Sequence, residues 1–109
     1  MIRYLNPFKP QSLVADNNIA YVVPALSVAQ VRALTLHNTT ANPVSVEAYL
    51  VPSNVQSITS SQRLVKKTLG TNESYLCPEV INHVLTEGMQ VVLVGQGVNA
   101  TLSVMEQSV

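Results

Sequence analysis

Side chains able to do chemistry are few in this sequence, and they are scattered. Cys77 is the single cysteine, and His83 follows it on the same segment. A thiol beside an imidazole is the raw material of a cysteine nucleophile or of half a zinc site. A metal would need two more ligands at suitable spacing, and His37 is the only other histidine. Cys77 is therefore read as a part-buried thiol. The acids Asp16, Glu47, Glu73, Glu79, Glu87 and Glu106 fall on different strands and turns. A pair converging in space would serve glycoside hydrolysis, but no spacing here dictates one. G-x-S-x-G, H-E-x-x-H and phosphate-binding loops are absent from the sequence. The expectation is a chain with no catalytic, cofactor-binding or metal-binding residues.

Two further groups carry polar chemistry of a softer kind. Arg63, Lys66 and Lys67 form a basic cluster, read as a solvated strand edge where lysines block unwanted pairing, with an acidic neighbour as the other reading. Asn38, Asn72 and Asn99 begin N-x-[ST] sequons, and they are read as turn residues, because asparagine tolerates left-handed geometry and bonds its own backbone.

The elements that must position these groups are short strands. In "HNTTANPVSVEAYLVPS" (37–53) a polar turn leads into alternation, with Val44, Val46, Ala48 and Leu50 on one face and Ser45 and Glu47 on the other. Comparable runs occupy 19–24, 28–38, 63–69, 73–77, 90–96 and 100–106. In 28–38 the alternation sets Leu34 and Leu36 on one face and Val31 and Ala33 on the other. A polar loop spans 52–62, the stretch 78–85 reads as a helical turn or an irregular strand, and Gly88 marks a turn. Seven or eight short strands with turn chemistry between them predict an all-β, antiparallel β-sandwich, Ig-like or jelly-roll-like. Residues 18–109 form that single domain, preceded by an extended N-terminal arm over 1–17. Pro7 and Pro10 cannot donate to a ladder and prevent an uninterrupted one, so the arm is not expected to pack as an ordinary internal strand.

Charge narrows the surroundings. Charged residues are 11% of the 109, and the formal net charge is zero, whereas soluble domains average about 25% charged. Such a chain has little repulsion to hold copies apart, so a homo-oligomer is expected. No basic footprint points to direct nucleic-acid contact, no run approaches a membrane span, and "MIRYLNPFKP" lacks a secretory h-region, which makes synthesis in a cytosol the expectation.

With strands and turns in order, a resemblance emerges. "YVVPALSVAQVRALTLHNTTANPVSVEAYLVPS", "TNESY" and "VLTEGMQVVLV", within roughly residues 19–106, resemble the motif order of small tailed-bacteriophage virion structural proteins. "SV" at 27–28 replaces a Gly-Thr-like turn of that pattern, and "PEVINHVL" replaces a simpler strand. The resemblance implies a multi-copy capsid decoration protein or a head–tail or tail-associated piece. Its partners would be other virion proteins, and its location the virion, assembled in the bacterial host cytoplasm. A carbohydrate- or receptor-binding β-sandwich module is the alternative, weakened by the lack of tryptophan and an aromatic share of 5%. Under the first reading Tyr4, Leu5 and Phe8 of the arm, with Arg63, Lys66 and Lys67, are the expected subunit contacts. Tyr4 and Phe8 would anchor in a neighbour's grooves.

Overall fold

A strand that is apolar on one face must lie against a second apolar face, so runs of this kind pair into two sheets. The computed structural model describes residues 1–52 and 58–108. Among them the strands are β1 (Ile2–Ser12), β2 (Asn18–Val22), β3 (Ser27–Asn38), β4 (Val44–Val51), β5 (Arg63–Leu69), β6 (Ser74–Tyr75), β7 (Val84–Leu85), β8 (Gln90–Val94) and β9 (Val98–Ser108). One sheet has the order β1-β9-β3-β6 with β7 also on β3, and the other has the order β2-β8-β4-β5. Every pairing is antiparallel.

The pairing nests from the outside in. The first strand bonds to the last, the second to the eighth, the third to β6 and β7, and the fourth to the fifth. That is the strand order of a jelly roll, one of the two sandwich forms expected above. Its core is the inner faces: Val31, Leu34, Leu36, Val46, Leu69, Leu85, Val91, Leu93, Leu102 and Val104 are all buried. The apolar outer face of β8 is explained by a small second cluster, in which Tyr49, Val51 and Val92 pack with Ile58 and Val94.

Bulges account for the departures from simple alternation. Val31 is buried along with Leu34 and Leu36, not opposite to them. Between Val31↔Val104 and Ala33↔Ser103, β3 spends two residues against one of β9, so Arg32 is an insertion and the inward phase shifts by one. Of the polar loop at 52–62, Ser60–Gln62 form a 3-10 turn, while residues 53–57 lie outside the described residues. The ambiguous 78–85 is a series of turns ending in β7.

The N-terminal segment is interrupted where its prolines fall, but it corrects the reading of residues 1–17 as an arm apart from the domain. It is extended, but it is hydrogen-bonded to β9 of its own sandwich from Ile2↔Gln107 to Ser12↔Asn99. Between Leu5↔Val104 and Phe8↔Leu102, and again between Phe8 and Gln11↔Ala100, β1 carries one extra residue. Pro7 lies in the first bulge and Pro10 in the second, where a missing N–H breaks no regular pair. The strand is also an edge, so its other side asks for no donor. The boundary near residue 18 thus separates two strands, one in each sheet, rather than an arm from a domain.

Of the three asparagines read as turn residues, Asn38 and Asn72 serve turns, whereas Asn99 lies in β9 opposite Ser12 and His37 and corrects that reading. Asn38 is fully buried: its Nδ2 donates to the carbonyls of Asn42 and Leu69, and its Oδ1 accepts from the Thr40 N–H and hydroxyl. Asn18 closes the β1–β2 turn, donating from Nδ2 to the carbonyls of Val14 and Leu93. Asn72 is left-handed at φ 63° and Gly88 at φ 82°.

Candidate contact surface

The thiol and imidazole stand apart in exposure. Cys77 is fully buried in the main core, while His83 is exposed. Burial, with the nearby Glu79 charge adding to it, pushes the Cys77 thiol up to about 12, which keeps it protonated and unreactive at neutral pH. No group of three or more His, Cys, Asp or Glu side chains able to hold a metal occurs among the described residues.

The glutamates are each engaged locally, while Asp16 sits left-handed at φ 66° in the turn between β1 and β2. Glu47 accepts from the Tyr49 hydroxyl and pairs with Arg63 Nη1 at 3.5 Å. Glu79 accepts from the Tyr75 hydroxyl at 2.6 Å, which holds the carboxyl below its usual range and raises the phenol to about 12. Glu73 accepts from the Gly70 N–H at 2.7 Å and Glu87 from the Leu26 N–H at 2.7 Å.

Glu106 is the exception in burial, at 3% exposure. Arg3 Nη2 on β1 donates to its Oε1 at 2.6 Å, and the Tyr21 hydroxyl on β2 donates to its Oε2 at 2.5 Å. The hydrogen bond from Tyr21, then that from Arg3, holds this carboxyl below its usual range, against the opposing effect of burial. Burial and the bond to Glu106 raise Tyr21 in turn. One carboxylate on β9 therefore joins both sheets and the edge strand. Sequence reasoning missed this clasp, although a signal existed: Glu106 continues the inward series of Ala100, Leu102 and Val104.

The six expected contact residues fall on two edges. Tyr4 is 73% exposed on the outer face of β1, whereas Leu5 and Phe8 turn inward and pack, partly buried, against this chain's own core. Phe8 is thus not a free anchor in the closed chain. Arg63, Lys66 and Lys67 lie on β5, the edge strand of the other sheet. Arg63 is engaged by Glu47 as above, Lys67 sits 5.0 Å from the Tyr75 ring centre, and Lys66 is exposed. Because β1 touches β2 while β5 lies near β6, these edges close opposite sides of the sandwich.

The two sides differ in character. Among the described residues the exposed large apolar side chains are Met1, Ile2, Tyr4, Val14, Ile19, Val22, Leu26, Leu76 and Val84, and all but the last two belong to β1, β2 and their adjoining segments. Leu26 is 72% exposed and also left-handed at φ 59°, a conformation that a leucine adopts only at a cost in strain. Next to this side, the bulges at Arg32 and at 6–7 flank Ser103 of β9 from both neighbours. They open a shallow groove of about 320 Å³ lined by Tyr4, Leu5, Asn6, Arg32, Ser103 and Val104.

Fold and surface together describe a small jelly-roll domain whose β1–β2 edge carries exposed apolar side chains on the outer faces of both sheets. No family model and no curated protein matches the chain. Among solved structures it is similar to a protein of Bacillus endospore appendages, a family of disulfide-linked pili, at 11% identity and TM-score 0.57, covering 99% of this chain and 88% of that one. It is also similar to a chain of the T13 viral particle of infectious bursal disease virus and to one of that virus's Gx strain. Each of these has 8% identity and TM-score 0.41, and the chain spans 30% and 31% of their respective lengths. At 11% identity the likeness to the pilus protein is one of fold.

Proposed function

We propose that this chain is a non-enzymatic structural subunit of a multi-copy assembly, specifically a virion component of a tailed bacteriophage in a capsid-decorating, head–tail or tail-associated position. The observation that carries the reading is the gathering of exposed apolar side chains on the β1–β2 side. Each large one left in water forgoes roughly 1.5–3 kcal/mol available on full burial, and a zero net charge offers no repulsion between copies. A shared fold with a protein of pili agrees with a role in assembly. The disulfide link of those pili does not transfer, because the one cysteine here is buried.

Sedimentation of the purified chain tests the contact side. Self-association is expected in the micromolar range, and Ile19→Lys with Val22→Lys, both exposed positions, should weaken it at least about tenfold, the effect of about 1.4 kcal/mol. A wild-type monomer at high micromolar concentration, or undiminished association of the folded double variant, would count against the β1–β2 side as the self-contact. Quantifying the chain in purified particles tests the location. Hundreds of copies would favour decoration of the shell, six or twelve the neck or tail, and none would overturn the virion reading.

A further inference from the structure

We infer that β1 is an exchangeable strand, which in the assembly leaves β9 of its own chain and pairs with β9 of a second copy, Arg3 then docking on that copy's Glu106. This deepens the proposed assembly role and rests on it.

The first reason is that β1 is the least embedded long strand. None of its 11 residues is buried, whereas β3 and β9 each contribute several fully buried side chains. Its ladder is interrupted twice, at the bulges holding Pro7 and Pro10. Its side-chain ties to the sandwich are few: Arg3 to Glu106, Ser12 Oγ to Asn99 Oδ1 at 2.8 Å, and Ser103 Oγ to Asn6 Oδ1 at 2.6 Å.

The second reason is the anchor that follows. Leu13 is buried, its N–H donates to the Val98 carbonyl at 2.8 Å, and its carbonyl accepts from the Gly97 N–H at 2.9 Å. The chain is therefore pinned just beyond β1 and can pivot at Ser12. β9 keeps its pairing with β3 from Ser27↔Ser108 to Asn38↔Val98 when β1 leaves. Eleven extended residues reach roughly 36 Å, enough to cross to an adjacent copy.

The third reason is selectivity. The vacated edge presents a buried acid that needs a guanidinium, inner positions for an aliphatic and an aromatic side chain, and a ladder that accommodates two bulges. Arg3, Leu5, Phe8 and the prolines of another copy meet that description in register. Exchange reproduces every β1–β9 contact with a different owner, so the balance is tipped by new burial between copies. Ile2, Tyr4, Ile19 and Val22, exposed beside the exchanged strand, are the side chains that gain it. A reciprocal exchange closes a pair, and a one-way exchange propagates a chain.

The test uses full-length protein. Tyr4 and Met105 are register partners on the outer face. A chain carrying Tyr4→Cys is unfolded and refolded at high concentration with one carrying Met105→Cys, oxidised, and mapped by peptide mass spectrometry. The doubly substituted chain, oxidised when dilute, establishes that this pair can close; Ile2→Cys with Gln107→Cys, the next pair on that face, replaces it if it cannot. A disulfide between position 4 of one chain and position 105 of the other is the expected result. Association without that linkage would overturn exchange and leave the assembly reading standing. Absence of both association and linkage would overturn exchange together with the β1–β2 side as the self-contact, the virion reading being decided separately by the copies found in purified particles.

Discussion

Glu106 illustrates how much one side chain can hold. Replacing it with Ala would leave the buried Tyr21 hydroxyl without its acceptor, and about 1–3 kcal/mol of stability should be lost, read as a lower urea midpoint at pH 7. Its folded-state pKa is depressed, so its stabilisation is complete above the ordinary carboxylate range and is lost as pH falls through the folded value. Glu106→Gln should accordingly show a shallower loss of stability on acidification than wild type, measured by urea midpoints from pH 6 to pH 3. Cys77 makes the opposite case. Buried and held protonated, it should resist a thiol reagent at pH 8 until denaturant is added, and fast labelling of the native protein would contradict the burial described here. The sequence suggests only a part-buried thiol, and the full burial of Cys77 follows from the core packed around it. The Glu106 clasp was legible only to a reader who let an acid continue an apolar series.

At the scale of elements, sequence alternation located most strands, because period two is a local property of a half-buried strand. It failed where pairing partners decide. The phase shift at Arg32 exists only because β9 lies alongside, and the prolines of β1 are tolerated only because bulges and an open edge receive them. Phe8→Ala should cost less than the roughly 3–5 kcal/mol of a fully buried aromatic, about 1–2 kcal/mol, since that side chain is only partly covered. Removal of residues 2–12 should leave a folded sandwich with a β-type circular dichroism spectrum, because the inner core stays whole; an unfolded product would show that β1 is integral to it. In the β8–β9 turn, Gly95 is at φ 150° and an added Cβ would come within 2.9 Å of Val46 Cγ1. Gly95→Ala should therefore destabilise by about 1–3 kcal/mol, checked by thermal melting.

For the molecule as a whole, fold and use had to be read from different evidence. A jelly roll is compatible with many roles, and the strand grammar of this chain speaks only to the sandwich. What bears on use is the distribution of exposed apolar side chains, a property of the folded surface. The heavy apolar load of the N-terminus was visible in the sequence, but the packing of Leu5 and Phe8 on their own core was not, since it depends on β9, the last strand of the chain. If copies associate through this side, the melting temperature should rise with protein concentration, as mass action requires when only folded chains bind. A melting temperature independent of concentration across a hundredfold range would argue for an isolated monomer.

The outermost pairing also sets an order in time. Ile2 pairs with Gln107, so during synthesis β1 stays without its partner until β9 has followed. Loop closure across such a separation comes late and slowly compared with the inner hairpins. During that interval neighbouring nascent chains on one messenger each carry an unplaced β1, and each soon completes a vacant β9. If β1 exchanges between copies as inferred above, whether a given strand ends on its own domain or on the next is a contest between intramolecular closure and the local concentration of copies.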